Sequence, residues 1–505
     1  MTNLNVNDLK EFKEQPTEYN TEEELIDWLK WDLYQQALNK CKNPDENNII
    51  TITDEEEKDY TLNIGNDQKK ILINFHFDLI KITNKSTVEF KIYFGILIFK
   101  FDVFIKNFIF NNEIIFIGTQ FNNKLIFESI IFNNSLSFNS IKINKELHLH
   151  YISFQKRVHF LNIKFSCKIS FYKINTYDDI FFNIVSFYNT FSLIDSTFNG
   201  ELNCECNYYV GKLYCKNNIF YKKFNFRKSI FYSLMDLELF NNTFENIADF
   251  SNIETYKDIN LSRITVSKYT KIIFDNINLE NANLYIDLNS KRINIISLKN
   301  ININNTIELR NIKTEEVDFK GTVINGGILN LIDFNVDCCS NSETARLLKN
   351  DSLQKYNYIK ALEYQAEETR LHKEELKDRF KKDKNLKTFG DILSIQLSSL
   401  YSDNGQNWVK ALFMTILITA FCFTIFYIPD LTKSNIIRLY YKNLFPELIK
   451  YFIPTDYSLI IAYAASKLNL FLKTFGVLVY FLGKVLFWYG SVQTVQAFRK
   501  FSKGA

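Results

Sequence analysis

Large apolar residues fall at 110, 116, 121, 127, 132, 138, 143, 149, 154, 160, 165 and 171, with steps alternating between six and five. The repeating unit is therefore eleven residues long, and it shows as FNNEIIF (110–116), FNNKLIF (121–127), FNNSLSF (132–138), INKELHL (143–149), FQKRVHF (154–160) and FSCKISF (165–171). The frame passes a weak copy at 176 and continues as FYNTFSL (187–193), FNGELNC (198–204), YVGKLYC (209–215), FYKKFNF (220–226) and FYSLMDL (231–237). It slips by two residues, resumes at FENIADF (244–250) and fades through INNTIEL (303–309) towards 337. Fainter copies precede it: INFHFDL (73–79), NKSTVEF (84–90) and GILIFKF (95–101).

Within a unit the apolar positions come as two in-out-in triplets, such as Ile114 with Phe116 and Thr119 with Phe121. Alternation with period two is the mark of a short strand whose paired residues point to one side. Eleven residues are too few to close around phenylalanine side chains. Two units, about 22 residues, close a four-sided coil that stacks on the next at about 4.8 Å, and roughly twelve such coils make a rod some 55–60 Å long. The expected core residues are Phe110, Phe116, Phe121, Phe127, Phe132, Phe138, Phe154, Phe160, Phe165 and Phe171. Outward asparagine pairs, Asn111-Asn112, Asn122-Asn123 and Asn133-Asn134, are placed to form amide ladders along the stack.

This pattern resembles the pentapeptide-repeat family, whose coils carry a large inward residue every five positions and a second inward residue two before it. The resemblance implies a right-handed quadrilateral β-solenoid, a mainly β fold, over 60–337. Here the spacing averages five and a half and the upstream inward residue is often Ile, where the family has Ala, Ser or Cys, which predicts a wider and less even coil.

Segment 1–57 is acidic, and Thr21 to Glu24 has the spacing of a capping box. Leu25, Trp28, Leu29, Leu33 and Leu38 follow at helical intervals, so a helix is expected there, most simply as a lid on the first open edge of the stack. After the repeat, 341–400 reads as a helical cap and a basic linker, with Ala345, Leu348, Leu353, Tyr356, Ile359, Leu362 and Ala366 marking one stripe and HKEELKDRFKKDK (372–384) following. Segment 408–505 reads as a membrane domain. Residues 411–428 are uncharged and flanked by Trp408, and a second span is expected at about 475–497, containing Lys484 and Trp488. The stretch 459–472 is interrupted by Lys467 and Asn469, so an interfacial or re-entrant path suits it better than a crossing. The segments 343–368, NGQNW (404–408) and YGSVQTVQAFRKFSK (489–503) are similar to membrane-attached members of the pentapeptide-repeat family, which implies a bacterial inner (cytoplasmic) membrane location.

Composition adds constraints. There are 48 Phe and 28 Tyr but only 14 Gly and 5 Pro, with no proline between 45 and 428, so turns must be built without the usual turn residues. The balance of 60 basic and 57 acidic residues excludes a globally basic nucleic-acid binder. The repeat body alone, 31 basic against 27 acidic over 60–337, is too nearly neutral for a duplex-mimicking rod, a role that some soluble pentapeptide-repeat proteins play against gyrase. The N-terminus lacks the basic-then-apolar order of a signal peptide, so the repeat body is expected in the cytosol with both chain ends on that side.

Eight cysteines without framework spacing suggest free thiols. Cys204 and Cys215 share one inward position in successive units, and His148 and His159 share one outward position on opposite sides, which gives no tetrahedral set without outside ligands. No phosphate loop, nucleophile elbow or carboxylate dyad stands out, so no catalytic, cofactor or metal residues are expected. The leading expectation is a membrane-tethered scaffold for an unidentified protein partner. The alternative is an oligomeric channel-like protein with Lys484 at its lumen and the solenoid as a sensor or assembly domain. In the scaffold reading Lys484 snorkels to the headgroups.

Overall fold

The computed structural model describes residues 103–232, 237–279, 281–289, 292–431, 444–453, 456–464 and 470–502. Of the first hundred residues it describes only 10–14, 18–19, 24, 27–28, 31, 61–64, 69–72, 86–88, 92–94 and 98–99. The chain divides into two compact units, Met1–Cys338 and Cys339–Ala505.

The first unit is a parallel β-solenoid of about ten turns at about 22 residues each. Each turn has four sides, two short and two longer. In one turn these are Phe108–Phe110, Ile114–Ile117, Gln120–Phe121 and Lys124–Glu128, and the next begins at Ile131–Phe132. Every side hydrogen-bonds to the same side one turn on, so Phe110 sits over Phe132, Phe132 over Phe154, and Phe116 over Phe138.

The eleven-residue unit has a backbone cause. A left-handed residue recurs at 107, 118, 129, 140, 151, 162, 173, 184, 195, 206, 217 and 228, and after the two-residue slip at 241 and 252. Each turns the chain from a longer side to a short one. Only Gly118 among them is a glycine; the others include Tyr151, Lys173, Ile184 and Cys206, side chains for which this conformation is costly. The slip is a true change of register: Phe198 pairs with Phe220 at a spacing of 22, and Phe220 with Phe244 at 24.

Four positions per unit point inward, as in Ile130, Phe132, Leu136 and Phe138, all buried. All ten phenylalanines named above are buried, and they stack in columns along the axis, with ring centroids 4.9 Å apart for Phe116–Phe138, 5.0 Å for Phe138–Phe160 and 5.2 Å for Phe132–Phe154. Midway along the rod the residue just after each corner changes from Ile or Val to Ser196, Asn207, Asn218, Ser229 and Asn242, all buried. Their side chains bond from turn to turn: Ser196 N–H donates to Asn218 Oδ1 at 3.0 Å, and Asn218 N–H to Asn242 Oδ1 at 3.0 Å. Asn218 Nδ2 also donates to the Leu193 carbonyl at 2.8 Å. On the outside, the amide ladders link Asn133 to Asn111 at 2.6 Å and Asn144 to Asn122 at 2.9 Å.

The stack has about ten turns against the twelve expected, and the faint copy at 73–79 lies outside the described residues. Thr61–Ile64 and Lys69–Leu72 form an antiparallel pair of their own, and the parallel side begins at Ser86–Val88. Glu18–Tyr19 adds to that first edge as a parallel strand beside Thr87–Val88. Of the helix expected over 21–38, residues 24, 27, 28 and 31 are helical, and the others lie outside the described residues.

The second unit is helical among the described residues: α1 Ser342–Gln354, α2 Tyr358–Lys382, α3 Leu386–Ser402, α4 Trp408–Leu431, α5 Leu444–Phe452, α6 Ser458–Ala464 and α7 Leu470–Ser502. Asn341, Asn357, Asn385 and Asn407 cap α1 to α4, each accepting from a first-turn N–H through Oδ1. The segment read as a single cap and linker is thus three separate helices.

Candidate functional site

The solenoid exterior carries the residues whose chemistry the sequence raised. His148 meets Glu146 at 3.1 Å, its ring stands 5.1 Å from that of His150, and Lys124 reaches Glu146 at 2.9 Å from the preceding turn. Hydrogen bonds from Lys124 and His148 pull the Glu146 carboxyl down to about 2. Burial lowers the His150 and His159 imidazoles below their ordinary range. His159 lies on a different side, stacked on Phe181 at 5.1 Å. Cys204 and Cys215 are fully buried, and burial raises both thiols, which makes them poor nucleophiles and poor ligands. Cys206 is exposed at a corner, and Cys338 donates to the Glu315 carbonyl at 3.1 Å. Among the described residues no three His, Cys, Asp or Glu side chains gather as a metal set.

One side does carry a concavity. A cleft of about 280 Å³ is lined by Tyr214, Lys216, Glu238, Leu239, Phe240, Asn260 and Ser262. It lies across three turns at the register slip, where Cys215 pairs with Leu239 at 24 residues. Tyr214, Glu238 and Asn260 follow one another turn by turn along one column, and Lys216, Phe240 and Ser262 along the next. Lys216 stands 6.0 Å and Arg263 5.3 Å from the Phe240 ring centroid, and Lys212 pairs with Glu238 at 2.9 Å. A second feature is a run of tyrosines on a neighbouring side, Tyr208 to Tyr232 at 5.1 Å and Tyr232 to Tyr256 at 4.9 Å, with Tyr232 exposed and the other two half-buried. Neither was legible in the repeat, because both depend on which outward residues fall one turn apart. Rigid aromatic side chains exposed beside charge are suited to docking, since little rotamer freedom is lost on contact.

The chain matches no protein-family model, no curated protein and no solved structure. Function must be read from the geometry alone.

Among the described residues of the helical unit, two helices are long and apolar enough to cross a membrane, over Trp408–Phe426 and Lys473–Arg499. They run antiparallel and close: a Cβ on Gly490 would strike Thr415 and Tyr401, and one on Gly483 would strike Cys422 and Tyr451. Trp408 packs edge-on against Phe498 at 5.5 Å at one end, and Phe426 against Tyr480 at 5.3 Å towards the other. Trp488 is exposed on the outer face of α7.

Lys484 neither lines an opening nor reaches outward. It is buried, and its ammonium donates to the carbonyl oxygens of Tyr451 at 2.6 Å and Ile453 at 2.7 Å, with the Tyr451 and Tyr480 rings 5.1 and 5.4 Å away. The last turn of α5 leaves carbonyls without intrahelical partners, and a cation is the natural partner there. Nothing in the sequence pattern marks this contact, because LFPELIKYF (444–452) and Lys484 lie some thirty residues apart. α5 and α6, nine and seven residues long, are each too short to cross a bilayer. They return alongside α4 and α7: Tyr451 packs on Phe423 at 5.4 Å, Phe452 on Phe487 at 5.6 Å, and Tyr480 Oη donates to the Asp456 carbonyl at 2.7 Å.

Proposed function

We propose that this chain is a membrane-anchored scaffold: α4 and α7 cross the bilayer, α5 and α6 form a re-entrant hairpin between them, and the solenoid presents its sides to a protein partner in the cytosol. The inner membrane follows the resemblance to membrane-attached pentapeptide-repeat proteins, and the cytosolic placement of both ends follows the lack of signal-peptide order at the N-terminus and the basic residues flanking the two spans. The observation that carries the reading is the pairing of a long repeat rod with two antiparallel apolar helices on one chain. Such rods bind through extended side faces rather than through a catalytic centre. The re-entrant path agrees with the Lys484 contacts, because non-helical backbone at membrane depth survives only where its polar groups are satisfied.

The channel alternative required Lys484 to face a wet lumen. Its ammonium donates instead to two backbone carbonyls, which favours the scaffold reading over a pore lined by Lys484. The test is photocrosslinking in intact membranes from positions 214 and 240, which flank the cleft. A discrete adduct that disappears when Lys216 and Arg263 are changed to Glu supports the scaffold; no adduct from either position, or one from buried Phe138 as well, opposes it.

A further inference from the structure

We propose that α3 is a third membrane-embedded element, lying in the leaflet nearest the α2–α3 turn, and that the basic run at its start binds anionic lipid. This rests on the membrane reading above and deepens it.

One face of α3 is committed to the bundle. Tyr401 is fully buried and its hydroxyl donates to the Leu486 carbonyl at 3.2 Å. Ser398 and Ser402 both donate to Gln493 Oε1, at 3.2 and 2.8 Å, and Tyr489 donates to the Ser394 carbonyl at 3.3 Å. The helix therefore crosses α7 between 486 and 493, within its apolar stretch Lys473–Arg499. At 1.5 Å per residue, 493 lies about 9 Å inside the end at 499.

The opposite face has no protein cover. Leu386, Phe389, Leu393 and Leu400 form a stripe at helical spacing, and their exposures are 87%, 51%, 47% and 47%. A stripe of this kind in water would be a liability; Phe413 and Ile416 of α4, which in this reading face acyl chains, are exposed in the same way. Its occupant is identified by charge. Residues 377–387 hold Lys377, Arg379, Lys381, Lys382, Lys384 and Lys387 against Asp378 and Asp383, a net charge of 6 − 2 = +4. Lys381 pairs with Asp378 at 2.8 Å. The Phe380 ring lies 6.0 Å from Phe389, which fixes this run at the start of the apolar stripe. An apolar helix face with clustered lysines at one end fits a leaflet that presents anionic headgroups, and each lysine near such a surface adds to the attraction.

The experiment uses the full chain in nanodiscs of phosphatidylcholine, with and without phosphatidylglycerol, and follows tryptic cleavage within 377–387. Cleavage should slow by about tenfold or more when phosphatidylglycerol is present, and salt should restore it. The variant K381Q/K382Q/K384Q/K387Q, probed at Lys377 and Arg379, should lose the difference, and L393D should lose it while leaving the lysines in place. Equal cleavage in both discs, in a chain that resists alkaline extraction, overturns this proposal and spares the membrane reading. A chain that alkali extracts from the discs defeats both. Protection that appears in neutral discs only on adding cytosolic protein assigns the stripe to a protein partner and overturns the lipid assignment.

Discussion

The ammonium of Lys484 and the carbonyl of Tyr451 meet at 2.6 Å across 33 residues of chain, and this bond joins the end of a short helix to the middle of a long one. With the second bond to Ile453, it holds a buried lysine among apolar helices on backbone carbonyls. Replacing Lys484 by Met keeps the volume and removes both hydrogen bonds, leaving the Ile453 carbonyl only its bond from the Asp456 N–H at 3.2 Å. Hydrogen bonds to charged groups contribute about 1.5–3 kcal/mol each, so the loss should be about 3 kcal/mol or more. Thermal unfolding in detergent micelles checks this; an unchanged midpoint would mean that the hairpin is held by its aromatic contacts alone.

Ile184 occupies a corner at φ +56° and is 68% exposed. A β-branched residue in the left-handed region carries strain without any packing return. Asparagine, which fills the corners at 107, 162 and 217, tolerates the same conformation. Ile184→Asn should therefore stabilise the solenoid by about 1 kcal/mol. A lower melting temperature in the variant would show that the Ile184 side chain contributes a contact worth more than the strain.

Asn218 is the centre of the buried amide column. Asn218→Ala removes the acceptor of the Ser196 N–H and the donor to the Leu193 carbonyl, and each buried orphan costs about 1–3 kcal/mol, so a loss of about 3 kcal/mol is expected. Hydrogen exchange should show the loss concentrated in the turns on either side of 218. Uniform loosening of the whole rod would contradict a local role for the column.

Acid should weaken the same rod. The Glu146 carboxyl is held near 2 in the folded chain, against an ordinary 4.5, so its contribution is present above the ordinary value and lost as pH falls from there towards 2. His150 and His159 are lowered from 6.5 by burial, so the unfolded chain takes up protons first and stability also falls as pH drops below 6.5. Both effects share one sign. Glu146 is partly exposed, so solvent screening reduces its share. Melting curves between about pH 7 and 5 should show a decline carried by the histidines, removed in a His150→Gln/His159→Gln variant. Greater stability at the lower pH would contradict it.

Much of the solenoid could be read from the chain because its signal is repeated. Phe110, Phe121 and Phe132 announce the unit, and the two-residue slip before Phe244 survives into the register. The corners could not be read, since Tyr151, Lys173 and Ile184 are not turn-forming residues and only their recurrence places them. Thr61–Ile64 and Lys69–Leu72 have the same apolar texture as the repeat yet pair antiparallel, because period-two alternation does not distinguish parallel from antiparallel strands. In the helical unit the apolar lengths gave the two long helices. The partner of Lys484 was hidden because contacts between segments some thirty residues apart leave no periodic trace.

The most direct measurement is alkaline carbonate extraction of membranes from cells making the full chain, beside a chain ending at 407. The full chain should stay in the membrane pellet and the shortened chain should be soluble, because only the former carries Trp408–Phe426 and Lys473–Arg499. Release of the full chain into the carbonate supernatant would contradict the central claim, leaving α4 and α7 as the packed core of a protein that does not span a membrane.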